Sequence, residues 1–165
     1  MIRVAIVTIS DSCAQGRRED VSGPTIAQML PRESFEVCEK RIVPDDRAVI
    51  AAELTRLADQ AGMDLVLTTG GTGLGPRDIT PEATTSVCER MVPGFGEVMR
   101  LQGLQKTPNA VLSRGIAGLR GRTLIVNLPG SARAVRECLE LILDILPHAL
   151  EMLHGGGHEP KEPRP

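Results

Sequence analysis

The sequence predicts an α/β domain whose sheet is mostly parallel and covered by helices on both faces. Three observations carry that expectation. Short runs of β-branched and apolar residues at Ile2–Ile9, Leu65–Thr68 and Thr123–Leu128 read as strands buried on both faces. Segments with apolar residues on one helical stripe alternate with them, the pattern of crossover connections. The chain has 165 residues, 41% of them hydrophobic, which suits one domain around one core.

The elements follow in order. Ile2–Ile9 runs into Ser10-Asp11-Ser12 and a polar loop, QGRREDVSG. Pro24 then stands where a short helix starts, with Ser22 or Gly23 placed to cap it. Phe35–Val43 alternates polar and apolar residues and reads as a strand nearer an edge. From Asp46 to Ala61, Ile50, Leu54, Leu57, Ala58 and Ala61 share a helical stripe, and Gly62 stops the helix. Asp46 is its expected cap. Leu65–Thr68 leads directly into a glycine-rich turn. Thr80-Pro81-Glu82 then reads as N-cap, first-turn proline and first-turn acid of a helix reaching about Met91. Gly94–Leu101 is expected to be helical, and Asn109–Leu119 to contribute a shorter helix around Ala110-Val111-Leu112. After the strand Thr123–Leu128, Pro129-Gly130-Ser131 turns into a helix with Val135, Leu139, Ile142 and Leu146 on one face, broken at Pro147. Residues 1–153 form the single domain in this reading, and 154–165 a flexible Gly/Pro-rich tail. Glycines between His154 and His158 argue against a helical metal site there. Val92, Phe95, Val98, Met99 and Leu101 are left between the core and a subunit contact.

Composition excludes several classes. The formal charge is −2, and the aromatic residues are two Phe with no Trp or Tyr. A basic footprint and a stacking platform for nucleic acid are both missing. The four cysteines, Cys13, Cys38, Cys88 and Cys138, form no C-x-x-C pair and read as small buried hydrophobes. Neither a signal peptide nor a membrane span is recognisable, so a cytoplasmic protein with reduced thiols is expected.

In open α/β sheets, ligands bind beyond the carboxyl ends of the strands. Four groups of residues fall there: Ser10-Asp11, Asp45-Asp46, Gly70-Gly71-Thr72-Gly73 and Asn127-Leu128-Pro129-Gly130-Ser131. The segment TTGGTGLGPRDITPEAT is the most informative, because glycine turns expose N–H groups that can hold an anion. The helix starting at Pro81 is expected to add its dipole. A Walker A loop is excluded by Pro76 in the lysine position, and G-x-G-x-x-G fails at the same residue. Asp45 and Asp78 are the candidate acids. Carboxylates opposite a phosphate-binding loop repel a bare phosphate, and Mg²⁺, which takes one or two carboxylates with phosphate oxygens and water, resolves that conflict.

These residues resemble a known family. SDS after the first strand, VPDD after the second, TTGGTGLGPRDITPEAT, PGFGEVMR, LSR and NLPGS together look like the MogA/MoaB family of molybdenum cofactor biosynthesis, in order from about Ile2 to Leu153. The resemblance implies a three-layer α/β/α sandwich of the molybdopterin-binding fold, assembled as a trimer or in some members a hexamer. It implies adenylylation of molybdopterin by Mg-ATP with release of pyrophosphate, alongside other enzymes of the same pathway. Asp45 and Asp78 take the catalytic positions and the possible contacts to Mg²⁺. Gly70, Gly71, Thr72 and Gly73 form the ligand-binding loop, and Ser10, Asp11, Ser113, Pro129, Gly130 and Ser131 fall in segments that line the family's pocket. Gly75-Pro76 stand where many MogA-type members carry more basic residues, as in MoaB-type sequences. That departure keeps open an alternative, a molybdopterin-binding accessory protein without adenylyl transfer.

Overall fold

The computed structural model describes residues 1–156. Residues 157–165 of the proposed tail, His158 among them, lie outside the described residues. The elements are β1 (Ile2–Ile9), α1 (Asp11–Ala14), α2 (Ser22–Met29), β2 (Phe35–Val43), α3 (Arg47–Thr55), β3 (Leu65–Thr69), α4 (Thr80–Val87), β4 (Arg90–Met91), α5 (Pro93–Gly103), β5 (Ala117–Arg120), β6 (Thr123–Leu128), α6 (Ala132–Ile142) and α7 (Leu146–Leu153). A π-helical turn, Arg56–Gln60, extends α3, and a 3₁₀ turn spans Pro108–Leu112.

The six strands are ordered β2-β1-β3-β6-β5-β4. β2, β1, β3 and β6 are parallel, whereas β5 runs antiparallel to both β6 and β4. Alternation along the central strands sends residues to two cores. Val4, Ile6, Leu65, Leu67, Leu124 and Val126 pack with Ile26, Phe95, Met99, Val135, Leu139 and Leu150 from α2, α5, α6 and α7. Ala5, Val7, Ile9, Val66 and Ile125 face Ile50, Leu54, Leu57, Ala83 and Val87 from α3, the π-helical turn after it and α4. The result is the α/β/α sandwich, and strands covered on both faces need no alternation of polarity.

The chain leaves β1 for β2 on one side and then crosses β1 to reach β3 on the other. The connections therefore diverge at β1 and β3, and a crevice opens beyond their carboxyl ends.

Several local expectations are corrected. Neither Ser22 nor Gly23 caps α2. Asp20 does so, its Oδ1 accepting from the Gly23 N–H at 3.0 Å and its Oδ2 from Thr8 Oγ1 at 2.7 Å. Thr80 is not an N-cap either, and its helix ends at Val87 because Arg90–Met91 pairs with β5. The short helix expected around Ala110-Val111-Leu112 is the 3₁₀ turn, and beyond it Ala117–Arg120 is strand, drawn into the sheet beside β6. Cys38 is exposed: the β1–β2 register skips it between Val4 and Ala5. Cys88 and Cys138 are only partly buried, and burial pushes both thiols up to about 11. Asp46 caps α3 as expected, accepting from the Val49 N–H at 3.0 Å. Phe95 and Met99 join the core, Val92 and Val98 pack against it, and Leu101 is exposed. His154 ends α7 with its ring Nε2 3.0 Å from the Arg122 carbonyl oxygen.

The buried polar residues of the sheet are paired. Asn127 on β6 donates through Nδ2 to Thr68 Oγ1 at 3.0 Å and Thr84 Oγ1 at 2.9 Å, tying β6, β3 and α4 together. Leu67 is fully buried in the larger core. Leu67→Ala should therefore cost about 2–5 kcal/mol, read as a lower urea midpoint with an unchanged slope.

Candidate active site

The residues at the strand ends build a cleft of about 530 Å³. Thr8, Ile9 and Ser10 reach it from β1, Thr69, Gly70 and Gly71 from β3, and Gly130, Ser131 and Ala132 from the turn after β6. Asp45 and Asp78 line it too, as do Arg18, Glu19 and Asp20 from the loop before α2.

The glycine turn has its shape for steric reasons. Gly70 lies at φ +102° and Gly71 at φ +64°, the region that disfavours residues with a Cβ. A Cβ on Gly70 would overlap the Ile9 carbonyl oxygen, so the turn passes directly over the end of β1. Thr80 closes it from the far side, donating Oγ1 to the Gly70 carbonyl at 2.9 Å and its N–H to the Gly71 carbonyl at 3.1 Å. This is why Thr80 is not a cap. The N-terminus of α4 is thereby occupied, and none of Thr80, Pro81 and Glu82 lines the cleft. α2 starts at the cleft wall through Val21 and Ser22, and so does α6, whose N-cap Ser131 accepts from the Ala134 N–H at 3.2 Å. α6 supplies the favourable dipole end expected of α4.

Asp11 and Asp45 are locked together by reciprocal bonds. The Asp11 N–H donates to Asp45 Oδ2 at 2.8 Å, and the Asp45 N–H donates to Asp11 Oδ1 at 3.0 Å. Arg77 then forks onto Asp11, with Nε 2.9 Å from Oδ2 and Nη2 3.1 Å from Oδ1. The Arg77 guanidinium, foremost through its hydrogen bond, holds the Asp11 carboxyl below the usual range. Asp45 goes the other way. Burial pushes its carboxyl up, reinforced by the nearby charges of Asp11 and Asp78. Asp78 accepts the Gly75 N–H on Oδ2 at 2.8 Å, which folds the loop back under itself.

The cleft thus has four carboxylates in its lining, Glu19, Asp20, Asp45 and Asp78, against one guanidinium, Arg18. Among the described residues no hydrogen bond is made by Asp45 Oδ1, which faces Gly71, or by Asp78 Oδ1. Among the described residues no three acid, histidine or cysteine side chains cluster into a metal site, so Asp45 and Asp78 could hold a hard divalent cation only if it brings phosphate or water oxygens of its own.

Ser10, Asp45, Gly70, Gly71, Asp78, Gly130 and Ser131 therefore meet in one cleft, with Asp11 behind Asp45. Thr72 is buried, and Gly73 is held from behind by Arg114; neither lines it. Ser113 and Pro129 line a second cavity of about 260 Å³ with Asn127, Ala134 and Cys138, on the side of α5 and α6. By sequence, Arg17, Arg18 and the acids beside them read as a solvated loop near the rim; Arg18, Glu19 and Asp20 instead line the cleft. The only signal for them was a polar loop following a strand end.

Comparison with known proteins bears on this site. Residues 5–148 match the family model described as "Probable molybdopterin binding domain". A molybdopterin adenylyltransferase of Helicobacter pylori is 43% identical over 156 residues, covering 93% of this chain and 89% of that protein. The crystal structure of the molybdopterin biosynthesis enzyme MoaB from Thermus thermophilus is 52% identical with a TM-score of 0.90, covering 96% of this chain and all of that one. A tungsten cofactor synthesizing protein, MoaB from Pyrococcus furiosus, is 37% identical with a TM-score of 0.84, covering 92% of this chain and 96% of that one.

The acid cluster has a cost in stability that pH reveals. A carboxyl whose pKa is raised in the fold favours folding while protonated, and that contribution is lost as pH rises through its folded value. Asp45 is such a group, whereas Asp11, held below its ordinary value, stabilises above the usual carboxyl range and loses this as pH falls. Asp45→Asn should accordingly raise the thermal midpoint at pH 7. The gain should shrink as pH falls through the carboxyl range and the native Asp45 takes up its proton; differential scanning calorimetry across that range checks both.

Proposed function

The chain belongs to the MogA/MoaB family of molybdopterin-binding proteins, and on that premise we propose that it is a molybdopterin adenylyltransferase using Mg-ATP. The observation that carries this reading is the juxtaposition, in one cleft, of the Asp45 and Asp78 carboxylates with the Gly70-Gly71 turn and the N-terminus of α6. Acids alone would suit a cation and exposed N–H groups alone an anion. Both together suit a phosphate chain that arrives with its metal.

In the reaction proposed, an oxygen of the molybdopterin phosphate forms a bond to the α-phosphorus of ATP. The α–β anhydride bond breaks, and pyrophosphate leaves with the electron pair. The nucleophile is already ionised near neutral pH, so no residue has to remove a proton from it. Asp45 and Asp78 would hold Mg²⁺ directly or through water, and the ion would offset charge on the triphosphate. The Gly71 N–H and the first N–H groups of α6 would orient phosphate oxygens, the Gly70 N–H being taken by the Leu128 carbonyl, and Ser10 and Ser131 border the same space. The reciprocal Asp11–Asp45 bonds and the Arg77 fork keep Asp45 in place. Catalysis of this kind comes from positioning and charge stabilisation.

Two further parts of the reading concern ring binding and assembly. Both phenylalanines are buried in the core, so the pterin and adenine rings would lie against aliphatic walls and backbone rather than aromatic faces. A homotrimer or hexamer would cover the exposed Leu101, Leu104, Val111 and Leu112. A second reading, molybdopterin binding without transfer, is favoured by Gly75-Pro76 in the loop. No described helix is long and apolar enough to cross a membrane.

Incubation with molybdopterin and Mg-ATP should yield adenylyl-molybdopterin and pyrophosphate, followed by phosphorus NMR. Pterin binding without product would select the second reading. Asp78→Asn should fold normally and lose at least about 100-fold in turnover; unchanged turnover would remove Asp78 from the mechanism.

A further inference from the structure

Residues 74–77, at the tip of the loop that carries Asp78, are all exposed, so neither core sets their path. Hydrogen bonds must do so: Gly75 and Asp78 pair across the tip, Arg77 forks onto Asp11, and three carbonyls flanking the tip are held by one residue outside the loop. Arg114 follows the 3₁₀ turn and precedes β5. Its N–H donates to the Thr72 carbonyl at 2.8 Å, its Nε to the Gly73 carbonyl at 2.8 Å, and its Nη2 to the Asp78 carbonyl at 2.7 Å. Its Nη1 is paired with the Glu82 carboxylate in the first turn of α4. One guanidinium thereby joins the start of the loop, the end of the loop and the helix that follows.

Arg114 is itself held. Arg100 on α5 donates Nη1 to the Gly115 carbonyl at 2.9 Å and to the Ser113 carbonyl at 3.4 Å, on either side of Arg114. A Cβ on Gly96 would overlap that Gly115 carbonyl oxygen, so α5 packs closely against this segment. The loop is referenced through Arg114 to the framework of α5 and the sheet.

We propose that Arg114 is a positioning residue for Asp78: it clamps the loop at Thr72, Gly73 and Asp78 and so fixes where the Asp78 carboxylate stands in the cleft. This rests on the adenylyl-transfer reading for its catalytic consequence, though not for its geometry. Lysine cannot replace it, because a single ammonium on a flexible stem cannot serve carbonyls and a carboxylate in three directions at once.

The test compares Arg114→Gln, Arg114→Lys and Glu82→Gln with the native protein in two measurements. Steady-state adenylyl transfer separates kcat from the KM for Mg-ATP, and amide hydrogen exchange follows the loop. Misplacing a reacting group by about 1 Å can cost about 100-fold, so Arg114→Gln should lower kcat on that scale with KM little changed. Arg114→Lys should not restore it, and Glu82→Gln should fall between. Exchange at the Gly75 and Thr80 amides should quicken while the amides of Leu65–Thr69 stay protected. An unchanged kcat, a loss confined to KM, or full recovery by lysine overturns the proposal. If Arg114→Gln does not fold, Glu82→Gln decides on the same two readouts. If the native protein transfers no adenylyl group, the functional reading fails, and exchange alone judges the clamp: unaltered Gly75 and Thr80 amides overturn it.

Discussion

Two stretches of backbone cross at the carboxyl ends of β1 and β3 with no side chain between them, and the cleft depends on that crossing. The Gly70 Cα faces the Ile9 carbonyl oxygen on one side and lies close to Gly130 on the other. Its N–H donates to the Leu128 carbonyl at 3.3 Å, so the ends of β1, β3 and β6 are drawn into a single rim. Any Cβ at Gly70 would push the turn away from β1 and separate Asp78 from Asp45, which enter from opposite sides. Glycine is required here by space as well as by its positive φ.

On this rim the electrostatics are arranged in layers. Asp11 and Asp45 exchange backbone N–H groups, and Arg77 neutralises the outer member of the pair. The inner member, Asp45, is left short of counter-charge and partly desolvated, which raises its pKa. Such a carboxylate gains from an incoming cation, because binding then relieves a cost already present in the free protein. Placing the arginine on Asp11 rather than on Asp45 leaves that gain available.

Much of this was legible in the sequence. Strands buried on both faces announce themselves as unbroken apolar runs, and glycine, proline and aspartate mark the turns at their ends. What escaped was set by tertiary pairing. Ala117–Leu119 carries no strand signal of its own and becomes one because β6 offers it a free edge. Thr80 matches the local pattern of a cap, yet its hydroxyl is taken by the Gly70 carbonyl ten residues away. Asp20 in the polar loop looks like any solvated acid until Thr8 comes beside it. Ser113 and Asp11 stand in matched blocks alike, but only Asp11 lies against Asp45, since nothing in a linear motif says which face of the rim a residue takes. The structure thus confirms the layered α/β architecture and assembles most of the candidate residues in one place.

The burial of both aromatic side chains has a practical side. Phe35 and Phe95 sit in the larger core, and there is no tryptophan or tyrosine anywhere in the chain. The polypeptide is therefore almost dark in the near ultraviolet, neither absorbing strongly nor emitting there. A pterin or a purine entering the cleft would be the dominant chromophore of its own complex. Its spectrum would report on the surroundings of the ring with almost no contribution from the protein that holds it.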